Sequence, residues 1–275
     1  MKLDINRAWT DALNLIQTNS GVVAIVAGVF FFLPYFALVL LMPDMAQSMA
    51  FEPNSDDPSV VMDQIMALYA DVWWAMVLMI VAQVVGTIAL LALLRAHDRP
   101  TVGEAIKIGA IGFLTYIVVM LLVYIGMGIA GGMVMGIAIA SDVTALAVIL
   151  GIVLVVALIY IAVKLSLVAP VIGIDKVYNP FTAIVRSWRL TKGNSLRLFA
   201  FFLLLVIALL VVSLVLGLIV ALVFGLAGPE VAAIGAGLFN AILNAVYVVI
   251  MLGVLAAVHR QLAGPDTEAV TETFE

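Results

Sequence analysis

The sequence predicts an all-helical integral membrane protein, a bundle of six spans, and three observations carry that prediction. Of its 275 residues, 66% are hydrophobic and only 11% are charged, with a mean hydropathy of +1.29. That is too little polar surface for a water-soluble domain of this length. Six apolar runs lie at about 21–42, 72–94, 109–131, 143–165, 196–226 and 231–258. Each reaches the ~20 residues that a helix needs to cross the hydrocarbon. The third observation is a partition of charge. With six spans, all 12 Lys and Arg residues fall on one face. The other face holds Asp44, Glu52, Asp56, Asp57, Asp63, Asp71, Asp142 and Glu230 and no base. An odd number of spans would spoil this partition. The positive-inside rule makes the basic face cytoplasmic and puts both termini there. Residues 1–263 then form one transmembrane domain, and 264–275 a short acidic tail.

The elements follow in order. Residues 4–18 keep Ile5, Ala8, Trp9, Ala12, Leu13 and Ile16 on one helical face and Arg7, Thr10, Asp11 and Asn14 on the other. This polar, amphipathic start is not a cleavable leader, because the first apolar run begins only near Gly21. Pro34 lies inside the first span and is expected to kink it, a defect that neighbouring helices can satisfy. Residues 43–71 make an acidic connection that turns helical from about Ser59 and leads into the second span. Tyr69, Trp73 and Trp74 mark the outer interface of that span. Thr101 and Glu104 read as a capping box opening a short amphipathic helix, with Val102, Ala105 and Ile106 on one face. Residues 132–142 read as an apolar, Gly-rich connection after the third span, or as a short helix at the outer surface. Pro170 ends or kinks the fourth, and Gly228-Pro229 turns the chain between the fifth and sixth.

The most informative stretch is 179–197. Asn179 is a suitable N-cap, with Pro180 at the first helical position. Phe181, Ile184, Val185 and Trp188 share one face, while Arg186, Arg189 and Lys192 lie on the other side. The cations sit towards the C-terminal end, where they suit the helix dipole. Gly193-Asn194 is a stop signal. Such a helix is too short to span and suits a membrane surface, apolar face down and cations among lipid phosphates. Three units thus repeat, near Asp4, Pro100 and Asn179, each a cytoplasmic amphipathic helix followed by a transmembrane hairpin. Arg7-Ala8-Trp9 and Arg186-Ser187-Trp188 are locally alike.

A wider motif surrounds this stretch. It comprises Tyr160, Lys164, Pro170, Asn179-Pro180, Arg186-Ser187-Trp188, Leu190-Thr191-Lys192-Gly193-Asn194 and Arg197-Leu198. Over 160–200 the chain resembles the membrane domain of bacterial glycerophosphoryl diester phosphodiesterases and related multi-pass inner-membrane proteins. Lys164 stands where that pattern usually has Arg. The resemblance implies a bacterial inner (plasma) membrane protein. Family members can carry a separate catalytic barrel. Only about a dozen residues follow the last span here, so a stand-alone membrane domain is expected, with no catalytic residue carried over.

Candidate sites are few. Lys164 falls near the cytoplasmic interface, where it can snorkel as an anchor or meet a headgroup. Together with Arg186, Arg189, Lys192 and Arg197 it is a candidate lipid-headgroup contact. Asn240 and Asn244 on span six, and Gln83 and Thr87 on span two, either line a polar path or bond between helices. Gly128, Gly132 and Gly136 read as a close helix contact or as a flexible end of span three. His97 and His259 lack metal-ligand spacing and read as surface residues, and Glu52, Asp56 and Asp57 lack a calcium-loop pattern. With no cysteine, thiol chemistry and disulfides are excluded. No catalytic motif, metal site or cofactor fingerprint is visible, and nothing points to nucleic acid. The sequence reads as a non-enzymatic membrane protein that organises anionic lipids or partner proteins through its amphipathic helices. The alternatives are a small transporter or lipid translocator, and a membrane component of lipid or glycerophosphodiester metabolism.

Overall fold

Inside a bilayer the backbone has no water to bond, so each segment must satisfy its own N–H and C=O groups, which a helix does. The computed structural model describes residues 2–41, 58–95, 100–141, 143–226 and 228–264, and every regular element among them is helical. The helices are α1 (Ile5–Thr18), α2 (Ser20–Ala27), a π-helical turn (Gly28–Phe32), α3 (Leu33–Leu41), α4 (Pro58–Leu93), α5 (Val102–Ala140), α6 (Thr144–Leu165), α7 (Val168–Gly173), α8 (Pro180–Leu190), α9 (Ser195–Gly225) and α10 (Pro229–Ala263). Six of the resulting rods are long and apolar enough to cross a membrane.

Local signals explain most boundaries. Asp4 caps α1 by accepting from the N–H of Arg7 at 3.1 Å. Thr101 and Glu104 form the expected capping box. The π turn comes just before Pro34, which has no N–H to give, and there Leu33 donates five residues back to Gly28. The acidic connection 42–57, Tyr69's side chain, His97, Arg99 and the tail 265–275 lie outside the described residues.

Two expected breaks do not occur. The capped segment after Thr101 is no separate helix, and residues 132–140 form neither a connection nor a short helix of their own: both belong to α5, 39 continuous residues. Glycine lowers helix propensity by about 1 kcal/mol per residue without forbidding a helix, and α5 carries its glycines in one unbroken ladder. The expected three-unit arrangement is not reproduced: among the described residues a separate helix precedes the first and third pairs of spans, α1 and α8, and none precedes the second. Gly128, Gly132 and Gly136 are helical and have nothing within 4 Å of where a side chain would project, so they make no close contact within the chain.

The core is concentrated at the basic end. On α4 the residues from Ile88 to Leu93 are buried, and on α10 those from Leu252 to His259 are buried, apart from half-buried Leu255. All six residues of α7 are buried, so this short helix plugs the bundle. Gly112 packs on Ile88 and Ile172, and Gly109 on the backbone oxygen of Val85. In contrast, α9 buries only Leu198, Phe201 and Leu205, all near its start, and α6 only Val163 and Lys164, at its end. The other ends of these two helices expose rows of Val, Leu and Ile.

Candidate functional site

Most of the motif around 160–200 gathers where α6, α7 and α8 meet. Helix α6 ends at Leu165, which leaves its last carbonyls without intrahelical donors. Ser187 supplies one, donating its hydroxyl to the Lys164 oxygen at 2.8 Å, and Thr191 approaches the same oxygen at 3.4 Å. Both side chains are fully buried. They dock α8 across the end of α6. Helix α8 is itself held at its start by Asn179, which accepts from the N–H of Thr182 at 3.1 Å. At its end Gly193 takes φ +82°, a conformation that L side chains resist.

This docking divides α8 into three faces. Ala183 and Ser187 point into the bundle, with Ile184 and Leu190 half-buried beside them. Arg186 and Arg189 lie on an exposed polar flank. Between the two runs an apolar stripe that the protein leaves uncovered: Phe181 is 66% exposed, Val185 47% and Trp188 40%. Of the expected apolar face, then, only Ile184 is taken by the bundle. Helix α1 differs. Ala8 and Ala12 are buried, Ile16 packs on Gly253 of α10, and Trp9 alone of its large residues stays open.

Lys164 is not an exposed anchor. It is 3% exposed, and its ammonium lies over two rings, 5.5 Å from the centre of Tyr160 and 5.4 Å from that of Trp188. The rings meet edge to face at 5.9 Å. Cation–π attraction and the negative end of α6 both favour the charge there. No acid pairs with it among the described residues.

The remaining candidate cations separate by partner. Arg186 is engaged by Asp175 at 2.7 Å, and the same carboxylate oxygen bonds Nε2 of His259 at 3.0 Å. Arg197 donates to the backbone oxygen of Leu3 at 3.2 Å, beside Asn194, whose side chain accepts from the Leu3 N–H at 2.9 Å. Arg189 and Lys192 make no ion pair among the described residues. With Arg186 and Asn194 they line a cleft of about 380 Å³ whose far wall is Leu262 and Ala263. His259 corrects the surface reading, since it is buried, with Asp175 as its partner.

The polar positions within the spans do not behave alike. Asn244 donates to the Phe31 oxygen at 3.2 Å, within the π turn, so it bonds between helices. Asn240 is exposed and makes no hydrogen bond among the described residues. Gln83 and Thr87 are half-buried and likewise make none, beside Gly86, which packs on Phe30 and Phe31. No group of three or more potential metal ligands occurs among the described residues.

Sequence reasoning passed over Asp175 and gave Ser187, Thr191 and His259 no such role, because the Lys164 oxygen and the Asp175 carboxylate that they meet lie on other segments. Tyr160 was within reach, one helical turn before Lys164. No family model, curated protein or solved structure matches the chain.

Proposed function

We propose that this chain is a multi-pass inner-membrane protein that gathers anionic lipid at its basic, cytoplasmic face through α8. One observation carries this reading: the Phe181–Val185–Trp188 stripe is left open by the bundle beside Arg189 and Lys192, which have no acid partner among the described residues. An apolar stripe flanked by unpaired cations is what an interfacial helix presents to acyl chains and phosphates. Each cation near such a surface contributes about 1 kcal/mol, so the pair would enrich anionic lipid roughly thirtyfold at most. Arg186 and Arg197 contribute less, being committed to Asp175 and to Leu3. The motif resemblance agrees with a place in lipid or glycerophosphodiester metabolism. The transporter alternative draws less support, because Asn244 is occupied at the π turn.

The test uses Trp188 as the sole tryptophan, with Trp9, Trp73 and Trp74 replaced. Lipid-attached quenchers at shallow depth should quench it, and Arg189→Gln/Lys192→Gln should reduce the anionic lipid retained around the protein. Quenching by aqueous reagents alone, or unchanged lipid in the double variant, overturns the reading.

A further inference from the structure

Lys164 presents a problem that the α8 surface does not. Its stem is buried, and its charge has neither an acid nor a hydrogen-bond acceptor among the described residues, only two rings. Burying a cation without a counter-charge is unfavourable, and cation–π contacts offset only part of that. The ammonium is nevertheless not sealed. Among the described residues the buried side-chain polar atom without a partner is Nε2 of Gln261, not Nζ of Lys164. One side of the ammonium therefore stays reachable. Tyr160 and Trp188 are 48% and 40% exposed, and each carries a donor, a hydroxyl or an indole N–H, that meets no acceptor among the described residues.

Depth narrows the ligand. Helix α6 has 22 residues, ~33 Å of rise, close to the ~30 Å of hydrocarbon, and Lys164 is in its last turn. That is the level of lipid phosphates. The geometry points to a discrete site at Tyr160, Lys164 and Trp188 for the phosphate of an anionic phospholipid, one lipid held singly rather than as part of a surrounding shell. The preference for a net-negative headgroup follows from the cage itself. An aromatic pair of this kind could take the ammonium of choline or ethanolamine, but the chain's own lysine already covers both rings and repels a second cation. A phosphate carrying no cationic group meets Lys164 without that repulsion. This assignment rests on the lipid-binding reading above and shares Trp188 with it, but it turns on Lys164, which that reading does not use, so the two can fail separately.

The experiment titrates the purified full chain in detergent with dioleoylphosphatidylglycerol or dioleoylphosphatidylethanolamine and counts retained lipids by native mass spectrometry. One phosphatidylglycerol should persist, about fivefold or more preferred over the zwitterionic lipid. Lys164→Met should abolish the preference, and Lys164→Arg should keep it. In the unaltered chain, phosphatidylglycerol should slow acylation of Lys164 by an amine-directed reagent, while phosphatidylethanolamine should not, a measurement that needs no variant to fold. A tight adduct retained in Lys164→Met, or no protection from acylation, overturns the site. If Arg189→Gln/Lys192→Gln removes the single tight lipid and Lys164→Met does not, the cleft holds it and the assignment fails while the broader reading stands. Loss in Lys164→Met alone, with the bulk anionic shell unaffected by the double variant, upholds the site and overturns the broader reading. Protection by inorganic phosphate equal to that by lipid identifies a soluble anion as the ligand and overturns the lipid assignment.

Discussion

Replacing Asp175 with Ala should be among the more damaging single changes at the basic end, and the structure apportions the loss. The Asp175 carboxylate has two partners in very different settings. His259 is 4% exposed in its side chain and Asp175 11%, so their 3.0 Å bond lies in a dry site. A hydrogen bond to a charged group there is worth about 1.5–3 kcal/mol. The Arg186 side chain is 46% exposed, and although its contact is shorter at 2.7 Å, water screens it. Such a pair contributes about 0–1 kcal/mol. Asp175→Ala should therefore cost about 1.5–4 kcal/mol, and Arg186→Gln less than about 1 kcal/mol. His259→Phe should fall between, at about 1.5–3 kcal/mol. The assay is unfolding of the purified chain in mild micelles by added dodecyl sulfate, followed by tryptophan fluorescence at one pH. Equal losses from Arg186→Gln and Asp175→Ala would refute the weighting of these contacts by burial.

Two further outcomes can be read in the same assay. Ser187→Ala with Thr191→Val leaves the Lys164 carbonyl buried without a donor and should cost about 2–4 kcal/mol, whereas Ser195→Ala, whose half-buried hydroxyl bonds only within its own turn at 3.2 Å, should cost under about 1 kcal/mol. Gly109→Ala would place a methyl 2.5 Å from the Val85 oxygen, a backbone atom that cannot step aside, and should cost about 1–3 kcal/mol, while Gly132→Ala, with open space around it, should be neutral or slightly stabilising.

What could be read from the chain divides by the range of the interaction. The six spans were legible because bilayer thickness and backbone satisfaction act on every residue of a run. Local caps were legible too: Asn179 with Pro180, and Thr101 with Glu104, bond within three residues of themselves. Long-range pairings were not. Asp175 and His259 are 84 positions apart, and nothing in either neighbourhood predicts the other. Ser187 and Thr191 look like ordinary polar residues of an amphipathic helix until the end of α6 is placed against them. The same limit applies to the α8 apolar face, where spacing alone could not separate Ile184, which packs inward, from Phe181, which does not. Residues 132–140 differ for another reason: their glycines read as a connection or a short separate helix, and glycine content alone does not say that the helix of the third span runs on through them.

The anchoring of Leu3 has a consequence for the order in which the protein is made. Its N–H and oxygen are held by Asn194 and Arg197, and the N–H of its neighbour Asp4 bonds Gln261 at 3.2 Å. A ribosome adding roughly 5–20 residues per second completes Gln261 about 13–50 s after Asp4. Throughout that interval α1 exists without the helix that will cover Ala8, Ala12 and Ile16. Its buried face can be covered only once α10 has been made, so α1 is synthesised before the five spans that follow it up to α10 and docks after them.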